Sequence, residues 1–346
     1  MPLKASDFDY NLPEELIAQK PASKRDRSRL MVMHRSSEEI EHTIFNKITD
    51  YLKPSDVLVL NDTKVMPARL YGVKYGGGEE GKGAKVEVLL SRRIKEKVWE
   101  VIARPAKRLK MNTVVQFSDG LFAEVVDQTP YGARILHFAC IGDLDKVLQK
   151  VGKLPLPPYV KVDRTSDELA KRYQTIYAKK SGATAAPTAG LHFTDGLLKA
   201  IKKKGVEVEY VTLHTGLGTF QPVRAEYLKD HKMHSEEFQI DKGVIERIGR
   251  AKKEGRRIVA VGTTVVRLLE SMNGAPRTKG ETDLFITPGY KFKMVDAMIT
   301  NFHLPKSTLV MLVSAFAGSE FVKKAYSEAV KEKYRFFSFG DATLIV

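Results

Sequence analysis

The sequence predicts an α/β protein of two domains, a large α/β domain interrupted by a small all-β insert. The chain has 346 residues, too many for one ordinary hydrophobic core. From about residue 156 onward, strand-like and helix-like apolar periods alternate, as expected of strands joined by covering helices. Between about 66 and 140, short β-rich runs follow one another with no helical period between them.

Taken in order, residues 1–65 begin the large domain. Val57-Leu-Val-Leu60 is a continuous apolar run that reads as a buried strand, ending at Asn61-Asp-Thr63. The insert, residues 66–155, carries the runs 85–90, 98–102, 113–117, 121–126 and 133–138, punctuated by Gly, Asp and Pro. Strands so spaced make a small closed barrel or a sandwich. The glycine-rich stretch 76–83 lacks the Lys-Ser/Thr ending of a phosphate loop and reads as flexible. Leu154-Pro-Leu-Pro-Pro158 is a stiff extended exit, and the large domain resumes over 156–346.

After that exit the period becomes helical. Thr165-Ser-Asp-Glu168 is a capping box, opening a helix with Leu169, Tyr173, Ile176 and Tyr177 on one face. A helix follows Thr194 with Leu197, Leu198 and Ile201 inward, and 206–210 alternates as a strand. Val244, Ile245 and Ile248 mark the next helix, 257–261 the next strand, and Val265, Leu268, Leu269 and Met272 the helix after it. A short strand over 297–300 and a last helix from Ser319, burying Phe321, Val322, Ala325, Tyr326 and Ala329, complete the pattern. In a largely parallel sheet of this kind, ligands gather at the carboxyl ends of the strands.

Charge narrows the partners. Lys and Arg number 57 against 42 Asp and Glu, a formal net charge of +15. A Lys/Glu-rich surface accounts for many charges of both signs but not for the excess of one. The excess predicts a polyanionic partner, nucleic acid or an anionic membrane. The longest apolar run, 309–317, is far short of the roughly 20 residues that span a bilayer, so no membrane anchor is expected. Asp7 and Asp9 stand where a signal peptide needs apolar residues. The single Cys140 has no disulfide partner; it reads as a small core residue of a cytoplasmic protein.

Two segments carry the chemistry. Thr184-Ala-Ala-Pro-Thr-Ala-Gly-Leu-His-Phe-Thr194 and Leu213-His-Thr-Gly-Leu-Gly-Thr-Phe-Gln-Pro-Val223 each set one histidine among Gly, Thr and Pro. Such loops let a ligand approach backbone N–H groups, beside an imidazole that exchanges protons near neutral pH. His214 follows a strand directly and precedes Gly216 and Gly218, which suits a general base or acid; a hydrogen-bonded structural histidine would read alike. The same two readings apply to His192. His303, in Asn301-Phe-His303, is a third candidate; Asn301 would project above the sheet and Phe302 would stack on a base. Gly262-Thr-Thr264 opens a helix after a strand, so Thr263 and Thr264 would favour a carboxylate or phosphate, or Thr263 would simply cap the helix. Asp283 would hold a ribose diol or cap a turn. His231, His234 and Glu237 have metal-like spacing without the remaining ligands, so no metal is expected; this segment, Glu236 included, reads better as hydrogen bonding a polar substrate.

Of the basic clusters, 202–204 and 252–257 fall at helix ends and read as solvated surface. Arg104, Lys107, Arg108 and Lys110 differ, because a proline breaks the strand there and makes a loop-borne grip for nucleic acid on the β insert.

Together these segments resemble the S-adenosylmethionine:tRNA ribosyltransferase-isomerase family of queuosine biosynthesis. Further matching segments are Phe8-Asp-Tyr-Asn-Leu-Pro13, Asp26-Arg-Ser-Arg-Leu30, Leu60-Asn-Asp-Thr-Lys-Val-Met-Pro-Ala-Arg-Leu70, Ala103-Arg-Pro-Ala-Lys-Arg-Leu109, His234-Ser-Glu236, Asp283-Leu-Phe-Ile-Thr-Pro-Gly289 and Phe339-Gly-Asp341. The resemblance implies a large α/β domain, barrel-like with a mixed sheet, carrying an inserted small antiparallel β-barrel. It implies transfer and isomerisation of the ribosyl part of S-adenosylmethionine onto 7-aminomethyl-7-deazaguanine at the tRNA wobble position. The products are epoxyqueuosine-tRNA, adenine and methionine. S-adenosylmethionine is then a co-substrate, no prosthetic group is expected, and a monomer is the default.

That reaction needs a base for a ribose C5′ hydrogen acidified by the sulfonium, a proton for departing adenine, and a neutral attacking amine. On this reading His214 is the base and His192 or His303 its partner. Thr263 and Thr264 hold the methionine carboxylate, and Asp283 the ribose hydroxyls. Phe220 or Phe302 faces the sulfonium or a base, and Gly216, Gly218 and Thr219 line the site. The rival classes are a tRNA methyltransferase using the same cofactor and a tRNA-binding module without chemistry.

Overall fold

The computed structural model describes residues 2–75, 83–130, 132–157, 159–160, 167–216, 223, 225–233, 235–272 and 277–346. The chain divides into two compact units, 1–64 with 157–346, and 65–156.

The larger unit is built on a nine-stranded mixed sheet. Its strand order is Lys279–Thr282, Glu236–Gln239, Glu207–Leu213, Val57–Asn61, Ile258–Val261, Ala297–Asn301, Ala342–Ile345, Arg29–His34, Glu39–Ile44. The four strands from Glu207–Leu213 to Ala297–Asn301 are parallel neighbours, and their flanking strands Glu236–Gln239 and Ala342–Ile345 run antiparallel to them.

The continuous apolar runs of these strands have a direct cause. Side chains alternate across a strand, and this sheet is covered on both faces, so both sets are buried. Val57 and Val59 join one core with Val211, Leu213, Ile258 and Ala260, while Leu58 and Leu60 join the other with Val259, Val261 and Ile299. The helices Lys242–Lys253, Thr263–Ser271, Thr308–Ala317 and Ser319–Lys331 contribute to the first core. The helix Asp195–Lys203 and the 3-10 turn Phe45–Tyr51 contribute to the second. Thr194 caps the helix Asp195–Lys203 by accepting from the Leu197 N–H at 3.2 Å. The apolar run 309–317 is a helix buried in the first core, and no described helix is long and apolar enough to cross a membrane.

The smaller unit is a closed six-stranded antiparallel barrel. Its strands are Arg69–Lys74, Lys85–Lys95, Val98–Arg104, Val114–Ser118, Leu121–Gln128 and Arg134–Cys140. Alternate residues such as Val86, Val88 and Leu90 fill its interior. Closure leaves no free sheet edge, which decides for a barrel against a sandwich.

Two expectations are corrected. The helix expected through Tyr177 spans only Asp167–Arg172, so Tyr173, Ile176 and Tyr177 lie beyond its end; residues 161–166, with Thr165 and Ser166 of the capping box, lie outside the described residues. Cys140 is half-buried at a strand end, packed against the edge of the barrel core rather than within it.

Candidate active site

The four parallel strands bring their carboxyl ends to one rim. Asn61, at the end of its strand, donates from Nδ2 to the Leu213 carbonyl at 2.9 Å. Its Oδ1 accepts from the Leu213 and Thr63 N–H groups, each at 3.1 Å. A buried amide with three bonds fixes two strand ends together. Beside it, buried Asp62 accepts from Thr212 Oγ1 at 2.5 Å. Sequence reading gave neither residue a role beyond ending a strand.

His214 leaves this framework. Its N–H donates to the Glu237 carbonyl at 2.9 Å, and its Nδ1 lies 2.8 Å from Thr63 Oγ1. Its ring covers Gly182, where an added Cβ would stand 2.7 Å from the imidazole, so any larger residue there displaces the ring. His214 is half-buried, and burial holds its pKa below the usual 6.5; the Asp62 charge opposes that shift and the Lys180 charge adds to it. A histidine neutral at pH 7 and still open to solvent is competent as a base.

His192 differs. It ends the 3-10 turn Thr188–His192 and is buried, its ring stacked 4.9 Å from Phe45. Nδ1 meets Ser28 Oγ at 2.7 Å and Nε2 meets Asn301 Nδ2 at 3.2 Å. An amide nitrogen only donates, so Nε2 accepts and Nδ1 carries the hydrogen. Burial first, then Arg335 and Arg25, pushes its pKa down to about 3. His303 is also buried, with Nε2 2.9 Å from Thr300 Oγ1, and burial alone takes its pKa to about 3. Both stay neutral at working pH and act as polar struts, which separates them from His214.

The segment 184–192 runs along the rim. The Thr184 and Ala185 N–H groups donate to the Thr215 carbonyl, next to His214, at 3.0 and 3.2 Å. A Cβ on Gly262 would stand 3.8 Å from the Ala189 Cβ, and His192 closes the path at Asn301. One segment thus reaches the carboxyl ends of three of the four parallel strands. Gly190 permits the path, because a Cβ there would lie 2.2 Å from the Tyr177 hydroxyl.

Thr263 and Thr264 are buried at the start of the helix Thr263–Ser271. The cap position is Gly262 at φ 93°, with no side-chain cap, so capping by Thr263 is excluded and the first turn faces the rim with its dipole. Asp283 is exposed just after the strand Lys279–Thr282.

Other candidates fall elsewhere. Glu236 accepts from the Gly216 N–H at 3.1 Å and forms a buried ion pair with Arg267. Arg267 also donates from Nε to the Leu284 carbonyl at 3.0 Å. Glu236 is therefore engaged by the Gly216 N–H and Arg267, where hydrogen bonding to a polar substrate was expected. Phe302 is fully enclosed, 5.0 Å from Phe336 and 5.2 Å from Tyr334, so it stacks on core rings and not on a base. Gly218, Thr219, Phe220 and His234 lie outside the described residues.

In the barrel unit, Arg104, Lys107, Arg108 and Lys110 are all exposed, while Leu109 between them is buried. Buried Arg134 shapes this loop, donating to the Leu109 carbonyl at 2.6 Å and the Ala106 carbonyl at 2.9 Å. Nothing in the sequence pattern marks Arg134, a strand residue whose partners are main-chain carbonyls.

Comparison with known proteins adds to this geometry. The family described as queuosine biosynthesis protein matches residues 5–345. An S-adenosylmethionine:tRNA ribosyltransferase-isomerase of Halothermothrix orenii is 55% identical over 349 residues, covering 99% of this chain and 100% of the relative. One of Carboxydothermus hydrogenoformans is 52% identical over 348 residues with the same coverage. The crystal structure of an S-adenosylmethionine tRNA ribosyltransferase from Thermotoga maritima is 42% identical, covers 99% of this chain and 100% of its own, and superposes with a TM-score of 0.57.

Proposed function

Because this chain belongs to the queuosine biosynthesis family of S-adenosylmethionine:tRNA ribosyltransferase-isomerases, we propose that the sheet rim is its catalytic centre and His214 its base. The enzyme moves the ribosyl moiety of S-adenosylmethionine onto 7-aminomethyl-7-deazaguanine at the wobble position of tRNA, isomerising it and releasing adenine and methionine. It works as a cytoplasmic monomer and has no prosthetic group.

The observation that carries the reading is the contrast among the three imidazoles. His214 alone is half-exposed, is oriented through Nδ1 by Thr63, and has the Asp62 charge opposing the lowering of its pKa by burial. Its Nε2 takes the C5′ hydrogen that the sulfonium acidifies; adenine then leaves and takes up a proton, the neutral amine attacks and gives up a proton, and methionine departs with the electron pair of the broken carbon–sulfur bond. Such a group contributes on the order of 10²–10⁴-fold. His192 and Asn301 hold the far end of the rim segment in shape, and the early N–H groups at Thr263 and Thr264 receive the methionine carboxylate. Asp283 takes the ribose hydroxyls. The larger unit, residues 1–64 with 157–346, carries the chemistry, and the basic loop of the barrel unit, residues 65–156, meets tRNA phosphates.

Chromatography of the products tests the reaction. Free adenine and methionine, formed only with tRNA present, are expected. S-adenosylhomocysteine would mean a methyltransferase, and unconsumed S-adenosylmethionine a binding module.

A further inference from the structure

The matching segments at Asp26–Leu30 and Phe339–Asp341 have no part in the proton chemistry, yet they meet at one place. They wall a shallow, open cleft lined by Arg25, Arg172, Arg335, Ser28, His192 and Gly340. His192 is thus shared between this cleft and the rim.

Three guanidiniums converge there, and main-chain carbonyls aim them. Arg25 donates to the carbonyls of Leu191 at 3.1 Å, Gln174 at 2.8 Å and Lys171 at 3.4 Å. Arg172 donates to those of Ala22 at 2.6 Å and Ser23 at 3.2 Å, while its buried Nε has no partner. Arg335 donates to the Lys20 carbonyl at 3.1 Å and stands 3.5 Å from Asp341. Carbonyls orient a cation without cancelling its charge. Asp341 is the one carboxylate paired with these arginines among the described residues, and it also accepts from the Arg29 and Arg335 N–H groups. Neutral His192 supplies no counter-charge. Arg25 is held below its ordinary pKa by burial and by the nearby Arg172 charge, as expected where cations crowd.

The wall is built to hold this shape. The loop 335–341 turns through Phe337 at φ 77°, its carbonyl held by Asn301 Nδ2 at 3.2 Å. A Cβ on Gly340 would lie 2.4 Å from the Arg335 carbonyl oxygen, so only glycine fits that turn. Lys20, Lys24, Arg27 and Lys171 lie on the same segments, and all four are exposed.

We propose that this arginine cleft binds a backbone phosphodiester of the RNA substrate, next to the nucleotide that enters the rim. The inference rests on the tRNA reading above. Guanidinium forks match the paired oxygens of a phosphodiester. The carboxylate of S-adenosylmethionine fits worse, because its own ammonium and sulfonium would be carried toward three cations.

The test is a scan of the tRNA anticodon stem-loop with one neutral methylphosphonate at a time, measuring affinity for the wild-type protein. One linkage near the wobble nucleotide is expected to weaken binding about tenfold or more. Arg172→Gln is expected to weaken binding of the unmodified RNA similarly, to abolish sensitivity at that linkage, and to lower the salt slope by about 0.7 to 0.9. The apparent KM for S-adenosylmethionine is expected to stay within about twofold. No sensitive linkage in the wild-type scan overturns the proposal and needs no variant. Unchanged RNA affinity of a folded Arg172→Gln with a raised KM for S-adenosylmethionine also overturns it, in favour of the carboxylate. Wild-type adenine release is scored separately, so its absence counts against the reaction rather than the cleft.

Discussion

Thr63 Oγ1 stands 2.8 Å from His214 Nδ1, at the ends of two adjacent parallel strands that Asn61 joins. The hydroxyl, which also reaches the Lys180 carbonyl at 3.5 Å, holds the ring through Nδ1 and leaves Nε2 as the nitrogen available to a substrate. Thr63→Val removes that partner at nearly constant volume. It is expected to lower kcat by about tenfold or more while KM for S-adenosylmethionine moves little, and Thr63→Ser is expected to restore most of the rate. Equal losses in both variants would show that the hydroxyl does not orient the base.

Proton uptake by His214 gives the reaction a signed pH dependence. Its pKa lies below 6.5 through burial, so kcat/KM is expected to rise with pH to a plateau, with the midpoint of the acid limb under 6.5. Lys180 adds to the depression. Lys180→Met removes a neighbouring positive charge, eases protonation and is expected to move the midpoint upward. A midpoint that stays put or falls contradicts the assignment.

Much of this arrangement is legible from residues alone, and the rest is hidden for physical reasons. The strand 57–61 shows as an apolar run because both sheet faces are covered. His192 and His214 show because glycine and proline frame them, yet framing says where a histidine lies and not how deeply. For His192 depth depends on Phe45, Ser28 and Asn301, and for His303 on Tyr10 and Tyr326, all far away in sequence from the histidine they meet, and it makes both histidines struts. Phe302 misleads in the same way, because its enclosing rings come from the last helix and the 334–336 segment. Arg267 and Arg134 were unreadable, since each is defined by partners that only tertiary structure supplies.

The buried struts link protonation to stability. His192 and His303 have folded pKa values of about 3 against an ordinary 6.5. An unfolded chain therefore binds protons that the folded one refuses. Stability is complete above pH 6.5 and falls as pH drops toward 3, by roughly 2 kcal/mol per histidine at pH 5. Chemical denaturation between pH 7 and 5 measures this, and His303→Gln is expected to flatten the dependence. An unchanged slope would contradict the burial argument.

The Glu236–Arg267 pair lies almost wholly out of water, with side-chain exposures of 4% and 3%. Arg267→Met takes the guanidinium away from a buried carboxylate, which is expected to destabilise the fold by about 3–5 kcal/mol. Adding Glu236→Gln should recover a large part of that. Thermal unfolding of the single and double variants measures it, and no recovery would mean that packing, rather than charge, dominates there.

Replacing Arg104, Lys107, Arg108 and Lys110 with Gln removes four exposed cations from a loop whose shape Arg134 maintains. The variant is expected to bind tRNA more weakly with a shallower salt dependence, by about 0.7 to 0.9 in log–log slope for each lost phosphate contact. KM for S-adenosylmethionine should not change. An unaltered salt slope would remove this loop from the RNA-binding surface.

Single-turnover adenine release by His214→Ala with tRNA bound bears most directly on the rim as the catalytic centre. The rate is expected to fall about 10²–10⁴-fold with tRNA affinity unchanged; adenine released at the wild-type rate would contradict His214 as the base.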